Sequence, residues 1–286
     1  MKLGLVLEGG ASRTYFSAGV MDALLELGIF ADYVIGSSAG IANGLSYVSN
    51  QPGRNLIIGT QYLNNKHYMG MKHFFNPFNR SYYNINYVFK DIPNKHLPFD
   101  YEAFKNFKGE VYSAVTDIES GKCEYIKLDK NNPDWTAVVA SCALPLMFPP
   151  IKLNGKVYMD GGIADPIPYT HAVKSGCDKI ITVLTREKDY VKTRETGIAL
   201  CGRLYKKHPA FIEALNKRTD LYNESHKTAF ELAEKGEMFV FAPKNTEGWK
   251  RTERDPEKIR AMYDAGHKLV MDRKEELEAY LKNGVQ

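Results

Sequence analysis

Apolar positions along the chain fall into two periods. Leu3 to Leu7, Tyr33 to Ile35 and Lys179 to Leu184 are short, nearly continuous apolar runs, the pattern of strands buried on both faces. Val111, Tyr112, Ala114 and Val115 place a strand over Glu110 to Thr116. Cys123 to Leu128 returns after the turn Glu119-Ser120-Gly121-Lys122, which predicts a hairpin. Ile151-Lys152-Leu153 and Val157-Tyr158-Met159 flank Asn154-Gly155, a strong short-range hairpin signal. Met238 to Phe241 is a last short strand. Helical spacing fills the gaps. Phe16, Val20, Leu24 and Leu27 share one face of a helix over Thr14 to Leu27, with Gly28 where a C-terminal cap belongs. Ile41, Leu45 and Val48 share a face of the next helix, which Pro52-Gly53 stops. Further helices are expected over about Asp134 to Ala143, Tyr169 to Ser175, Pro209 to Lys235 and Pro256 to Lys282. Strand, helix, strand and helix over residues 3–50 predict a parallel pair within an α/β fold.

Two segments do not follow either period. Residues 60–100 are aromatic and irregular, with Tyr68, Phe74, Phe75, Phe78, Tyr82, Tyr83, Tyr87, Phe89 and Phe99, followed by Tyr101, and with Pro77, Pro93 and Pro98 between them. They read either as a cap over an apolar substrate site or as a helical insert packed on the core. Residues 187–205 are charged and mixed. No repeat or low-complexity linker separates the halves, so one domain over residues 1–286 is expected, with 187–286 as its helical C-terminal part.

Composition narrows the class. The 286 residues are 44% hydrophobic and 25% charged, as in an ordinary folded protein. The net charge of +4 is mild, and no basic-aromatic signature points to nucleic acid. With the aromatic stretch, that charge suggests peripheral contact with an anionic bilayer. Cys123, Cys142, Cys177 and Cys201 are far apart, without C-x-x-C, so neither a metal site nor a redox motif is expected, and reduced thiols in a cytosol fit best. The first apolar run is too short for a signal-peptide core, and no run of 18 apolar residues exists. A cytoplasmic protein, at times on the inner face of the membrane, is the expectation.

The candidate chemistry sits at the end of the second strand. Gly36-Ser37-Ser38-Ala39-Gly40 is a G-x-S-x-G between a strand and a helix, the context of a nucleophile elbow. Such a turn lifts Ser38 Oγ into the open, over a helix N-terminus that favours negative charge. Alone, the pentapeptide is also compatible with a plain Gly/Ser turn. Glu8-Gly9-Gly10-Ala11-Ser12-Arg13 follows the first strand. As a nucleotide cradle it fails, being neither G-x-G-x-x-G nor followed by Gly-Lys-Ser/Thr. A plain turn and an oxyanion hole remain, and in a parallel pair this loop and Ser38 share one sheet edge. Asp160-Gly161-Gly162 closes the second hairpin and reads either as a turn aspartate or as a catalytic one.

Taken together, the three stretches resemble the patatin-like phospholipases, lipid acyl hydrolases with a glycine-rich loop and a basic residue, then G-x-S-x-G, then D-G-A or D-G-G. Here these stand as Gly9-Gly10-Ala11-Ser12-Arg13, Gly36-Ser37-Ser38-Ala39-Gly40 and Asp160-Gly161-Gly162. Ala140 to Pro145 with Phe148-Pro149-Pro150 also looks like the family's approach to its aspartate. The resemblance covers about residues 3–186 and is closest to the compact bacterial members. It implies a three-layer sandwich around a central, mostly parallel sheet, and a cofactor-free Ser38–Asp160 dyad cleaving lipid or other acyl esters, phospholipase A or lysophospholipase in type. It further implies an oxyanion hole from Gly9, Gly10, Ala11 and the N–H after Ser38, with Arg13 holding the loop or adding positive field. Gly36, Gly40, Gly161 and Gly162 would be motif glycines. Two departures are visible. Ala11 stands where a third glycine is common, at a cost of about 1–2 kcal/mol if its φ is positive, and Thr14 stands where a glycine often follows the basic residue.

Two rivals remain. A Ser-His-Asp esterase would need a histidine, and His171, His208, His226 and His267 follow Ser38 without any motif around them. A non-catalytic lipid-binding protein on the same fold is the other.

Overall fold

The computed structural model describes residues 1–282 apart from Phe78 and Glu195, so Phe78 of the aromatic segment and the last four residues of the expected domain lie outside the described residues. The elements run β1 (Leu3–Leu7), α1 (Thr14–Glu26), β2 (Tyr33–Ser37), α2 (Ala39–Val48) and α3 (Arg54–Ile57). After the aromatic segment come α4 (Tyr101–Asn106), β3 (Glu110–Asp117), β4 (Cys123–Lys127), α5 (Thr136–Ser141), β5 (Ile151–Leu153) and β6 (Lys156–Asp160). The chain ends through α6 (Tyr169–Lys174), β7 (Lys179–Val183), α7 (Ile198–Leu204), α8 (Pro209–Glu234), β8 (Phe239–Phe241), α9 (Pro256–Asp272) and α10 (Lys274–Lys282).

All eight strands expected from the apolar runs are present, in one sheet whose hydrogen-bonded neighbours run β5-β6-β3-β2-β1-β7-β8, with β4 also on β3. The pairs β1–β2, β1–β7, β2–β3 and β7–β8 are parallel, and the hairpins β3–β4 and β5–β6, joined through β3–β6, add the antiparallel pairs. Asn154 and Gly155 take φ of 50° and 78°, as the tight hairpin turn requires. The two-residue period sends alternate side chains to opposite faces. Leu3, Leu5, Leu7 and Val34 pack with α1, α2 and α9, while Val6, Tyr33, Ile35 and Ile180 pack with α6 and α8. The result is a three-layer α/β sandwich with a mostly parallel centre, as expected.

Backbone contact holds the outer layer on one face. A Cβ on Gly19 of α1 would sit 1.9 Å from the Tyr263 carbonyl of α9, and one on Gly266 would sit 2.0 Å from the Phe16 carbonyl. The C-terminal segment thus packs on the motif-bearing segment with nothing between the helices but backbone.

Two helical readings need correction. The single helix expected over Pro256 to Lys282 is two, broken at Arg273, whose φ of −111° and ψ of 18° leave the helical region. The guanidinium of Arg273 donates to the Val240 carbonyl (2.7 Å) and lies 4.4 Å from the Phe239 ring. That tertiary contact turns the chain so that Tyr280 reaches β7, where its hydroxyl accepts from Ile180 N (2.9 Å). The mixed stretch before residue 205 contains α7, started after Gly197 at φ 94°.

Candidate active site

Ser38 stands between β2 and α2 with φ 54° and ψ −134°, a conformation that L side chains rarely adopt. The strain of the turn therefore falls on the serine. The glycines beside it serve close approach: a Cβ on Gly40 would lie 2.5 Å from the Glu8 carbonyl, and one on Gly36 would lie 2.8 Å from Ile41 N. Ser37 is fully buried, whereas Ser38 is half-buried and borders two cavities. The register of the motif thus favours Ser38 as the reachable hydroxyl.

The Ser38 N–H donates to Ser141 Oγ (2.8 Å), and Ser141 Oγ donates to the Ala114 carbonyl (2.6 Å). Residue 141 on α5 thereby ties the elbow to the centre of β3. Ser141→Ala should cost about 1–3 kcal/mol, since it strips the partners from a buried pair of backbone groups. Urea denaturation of the variant checks this.

Sheet register brings Asp160 to the serine. Ala114 of β3 pairs with Ser37 on one side and Tyr125 on the other, and Val115 pairs with Asp160 and Glu124. Because β4 occupies one edge of β3 at both positions, β2 and β6 must share the other edge. They meet there end to end, with Ser37 opposite Ala114 and Asp160 opposite the next residue. Gly161 lets the chain leave this crowded point, since a Cβ there would lie 2.1 Å from the Ala114 carbonyl.

Asp160 is 1% exposed. Its Oδ1 accepts the Gly162 N–H (2.8 Å), so it is in part the turn aspartate that the sequence also allows. Its Oδ2 is buried with no partner of full hydrogen-bond geometry. Ser38 lines the same polar cavity as Asp160. Burial pushes the Asp160 carboxyl up from the ordinary range, opposed by Arg218, by the Ser38 hydroxyl and by the Gly162 N–H.

The glycine-rich loop faces the elbow. A Cβ on Gly9 would lie 2.9 Å from that of Ser38. Gly10 ends at a short 3-10 turn, and Ala11 has φ 50°, so the alanine at the third position of the motif is indeed in the left-handed region. Ala11→Gly should relieve about 1 kcal/mol of this strain, less the added chain entropy of the unfolded state. A thermal melt should show a rise of no more than about two degrees, since the two effects partly cancel. Glu8 holds the loop from below: it is buried, and it accepts from Thr185 N and from the Tyr222 hydroxyl of α8 (2.9 Å).

Two cavities meet at Ala11, Ser38 and Leu144. One is apolar, walled by Tyr68, Tyr83, Phe89, Ile92, Phe99 and Trp135 among others. Wide π-helical turns at Ile58–Tyr62 and Tyr87–His96 form part of this wall. The aromatic segment is therefore both core and cavity wall: Tyr87 and Phe99 are buried, whereas Phe75 is 83% exposed. The second cavity is polar and lined by Arg13, Arg186, Lys192, Arg194, Arg218 and Arg251, against the acids Glu8 and Asp160. Arg13 is buried, and burial with nearby Arg186 pushes its guanidinium down to about 10.

No histidine lines either cavity among the described residues. His171 packs on Tyr125 and Tyr33, and His226 on Tyr222. His208 pairs with Glu119 (2.9 Å) and His267 with Glu26 (2.8 Å). His73 contacts the Lys66 carbonyl, and His67 and His96 lie on the Tyr87 ring. All four cysteines are free thiols, and no group of metal-ligating residues occurs among the described residues. No described helix is long and apolar enough to cross a membrane.

Sequence reasoning missed the polar cavity. Arg186 lies three residues beyond the end of β7, Arg218 and Tyr222 lie on α8, and Arg251 lies in the loop before α9. No local pattern marks these residues, because a basic side chain on a helix reads as solvated surface. A one-turn spacing from Arg218 to Tyr222 is the only trace they leave in the sequence.

A family model for patatin-like phospholipase matches residues 5–173. A second, described as a domain of unknown function (DUF6363), matches residues 208–282. The chain is 30% identical over 204 residues to a protein named lysophospholipase nte1 from Aspergillus terreus, covering 70% of this chain and 13% of that protein. It is 26% identical over 204 residues to the uncharacterized protein YjjU of Escherichia coli, covering 64% of this chain and 52% of that one. The chain thus spans only part of the curated relatives it matches. Its fold is similar to that in the crystal structure of VipD from Legionella pneumophila, with a TM-score of 0.51 at 13% identity over 95% of this chain and 66% of that one. The family model covers well over half of the chain and includes the elbow, the glycine loop and Asp160-Gly161-Gly162, so the chain belongs to the patatin-like phospholipase family.

Proposed function

We propose that this protein is a lipid acyl hydrolase that cleaves carboxylic esters through a Ser38–Asp160 dyad. One observation carries the reading: a serine at the apex of a strained turn stands beside a buried carboxylate, where an apolar cavity meets a polar one. The acyl chain lies in the apolar cavity and the alcohol part in the polar one. Ser38 Oγ attacks the ester carbonyl while its proton passes to Asp160. The tetrahedral oxyanion is held by N–H groups of Gly9, Gly10 and Ala11 and by that of Ala39 at the start of α2, with Arg13 adding positive field. Asp160 then gives the proton to the leaving alcohol, and water releases the fatty acid from the acyl-enzyme by the same steps. The raised Asp160 carboxyl suits a proton carrier better than an ordinary aspartate would. Relatives named lysophospholipases support ester cleavage of the phospholipase A or lysophospholipase type.

We also read residues 1–286 as one working unit, since Arg218 and Tyr222 of α8 reach the site from the C-terminal segment. A fluorophosphonate probe, followed by peptide mapping, should label Ser38, and the protein should release fatty acid from a mixed lipid extract read by mass spectrometry. Failure to label Ser38 in folded protein would overturn the reading. Peripheral membrane contact through exposed Met71 and Phe75 should appear as weak co-sedimentation with anionic vesicles that added salt reduces.

A further inference from the structure

The polar cavity holds six basic side chains against two acidic ones among the described residues, and both acids are already engaged. Glu8 accepts from Thr185 N and the Tyr222 hydroxyl and offsets part of the Arg13 charge, while Asp160 accepts from Gly162 N and is balanced by Arg218 and Arg251, so two acids stand against six cations. Lys192, Arg218 and Arg251 have partners of their own, so Arg13 and Arg186 carry the argument. Arg13 is 8% exposed, and its Nε has no hydrogen-bond partner. Arg186 donates to Thr246 Oγ1 (2.6 Å) and lies 4.2 Å from the Tyr190 ring, yet its Nε is also buried without a partner. These two guanidinium groups repel each other closely enough that Arg186 helps to push the Arg13 guanidinium down. Leaving donors of two like charges unsatisfied in one cavity is costly unless an anion enters it.

Resting on the hydrolase reading above, we propose that the arginine-lined cavity beside Ser38 receives a phosphate monoester with no balancing cation, so that the preferred substrate is an acyl ester with an anionic phosphate head. Arg13 and Arg186 act as the phosphate receptor, one on the glycine-rich loop and one in the loop after β7. The head enters the polar cavity, the acyl chain enters the apolar one, and the ester carbonyl falls between them at Ser38. A choline head is disfavoured there because its quaternary ammonium would sit among arginines.

The test uses the full chain with 1-oleoyl-glycerol-3-phosphate and 1-oleoyl-glycerophosphocholine, both below their aggregation limits. The expected kcat/KM is at least about tenfold higher for the phosphate monoester, a ratio that corresponds to about 1.4 kcal/mol. The preference should shrink as salt rises. Arg186→Gln should lower the ratio about tenfold, and Arg186→Lys should restore only part of it, because it keeps the charge but loses the planar guanidinium donors and their stacking on Tyr190. Inorganic phosphate should compete with the monoester, with a weaker effect on the choline lipid, if the cavity reads phosphate itself. Equal kcat/KM for the two lipids, or an Arg186→Gln loss shared equally between them, would overturn the proposal. Calorimetric binding of an ether analogue of the monoester to Ser38→Ala keeps the two ideas apart. Tight binding that Arg186→Gln abolishes, without any ester cleavage by the parent, supports the cavity and sinks the hydrolase; cleavage of both lipids at equal rates does the reverse.

Discussion

Ser38→Ala is expected to abolish ester hydrolysis and to leave the fold intact. Loss of a nucleophilic serine lowers turnover by roughly 10⁴-fold or more in hydrolases that depend on one. The hydroxyl has no packing role, since Ser38 borders two cavities and its fixed contact is through its N–H to Ser141. Circular dichroism and melting temperature should match the parent. Ser38→Gly should be equally inactive but more stable, because φ 54° and ψ −134° are easy for glycine and strained for any other residue. The pair separates chemistry from strain: a serine kept where glycine would be more stable is a serine kept for its hydroxyl. Ser37→Ala, one residue away and buried, should retain activity. If Ser37 takes the fluorophosphonate label instead, the motif has been placed in the wrong register.

Asp160→Asn is expected to remove turnover as fully as Ser38→Ala, while no single histidine is needed. The amide keeps the shape of the carboxylate and the contact with Gly162 N, but it cannot take up the serine proton. Single His→Ala variants at 67, 73, 96, 171, 208, 226 and 267 should stay within about tenfold of the parent, short of the loss of a general base. The structure supplies the reason, since each histidine is occupied elsewhere and none lines the cavities. A folded His→Ala variant as inactive as Ser38→Ala would restore the triad.

The same aspartate sets the pH dependence. Activity should fall on the acid side at a pH above that of an ordinary aspartate, because burial raises the Asp160 carboxyl and the proposed base must be ionised. Stability has the opposite sense. The folded chain holds this proton more tightly than the unfolded chain, so the contribution of Asp160 to stability is complete below the unfolded-state value and is lost as pH rises through the raised folded value. Asp160→Asn should therefore be at least as stable as the parent at neutral pH, and its stability should no longer decline across that window. Denaturation midpoints measured from pH 4 to 8 test the sign.

Much of the architecture was legible because it is local. Alternating and continuous apolar runs placed all eight strands, and Asn154-Gly155 announced its hairpin by turn chemistry alone. The final helix was misread as continuous because nothing local breaks it; Arg273 leaves the helix for contacts with Val240 and Phe239, which lie more than thirty residues earlier in the chain. Arg186, Arg218 and Arg251 were invisible for a similar reason: basic residues carry no periodic signal, and only packing shows which ones turn inward.

By itself, then, the sequence determined the strand–turn–helix around Ser38 and the strand that precedes the glycine loop, since each depends on patterning and backbone sterics within a few residues, whereas the positive φ of Ala11 and the place of its loop beside the elbow came with the folded β1–β2 pair. Tertiary structure alone decided three further things. It set β2 and β6 end to end along one edge of β3, which brings residues 38 and 160 to one point. It turned the aromatic segment into the wall of an apolar cavity. It carried α8 and the loop before α9 back over the site, so that arginines distant in sequence face the serine. Each of these depends on which edges and faces remain open once the sheet has formed, and no stretch of the chain contains that information before it folds.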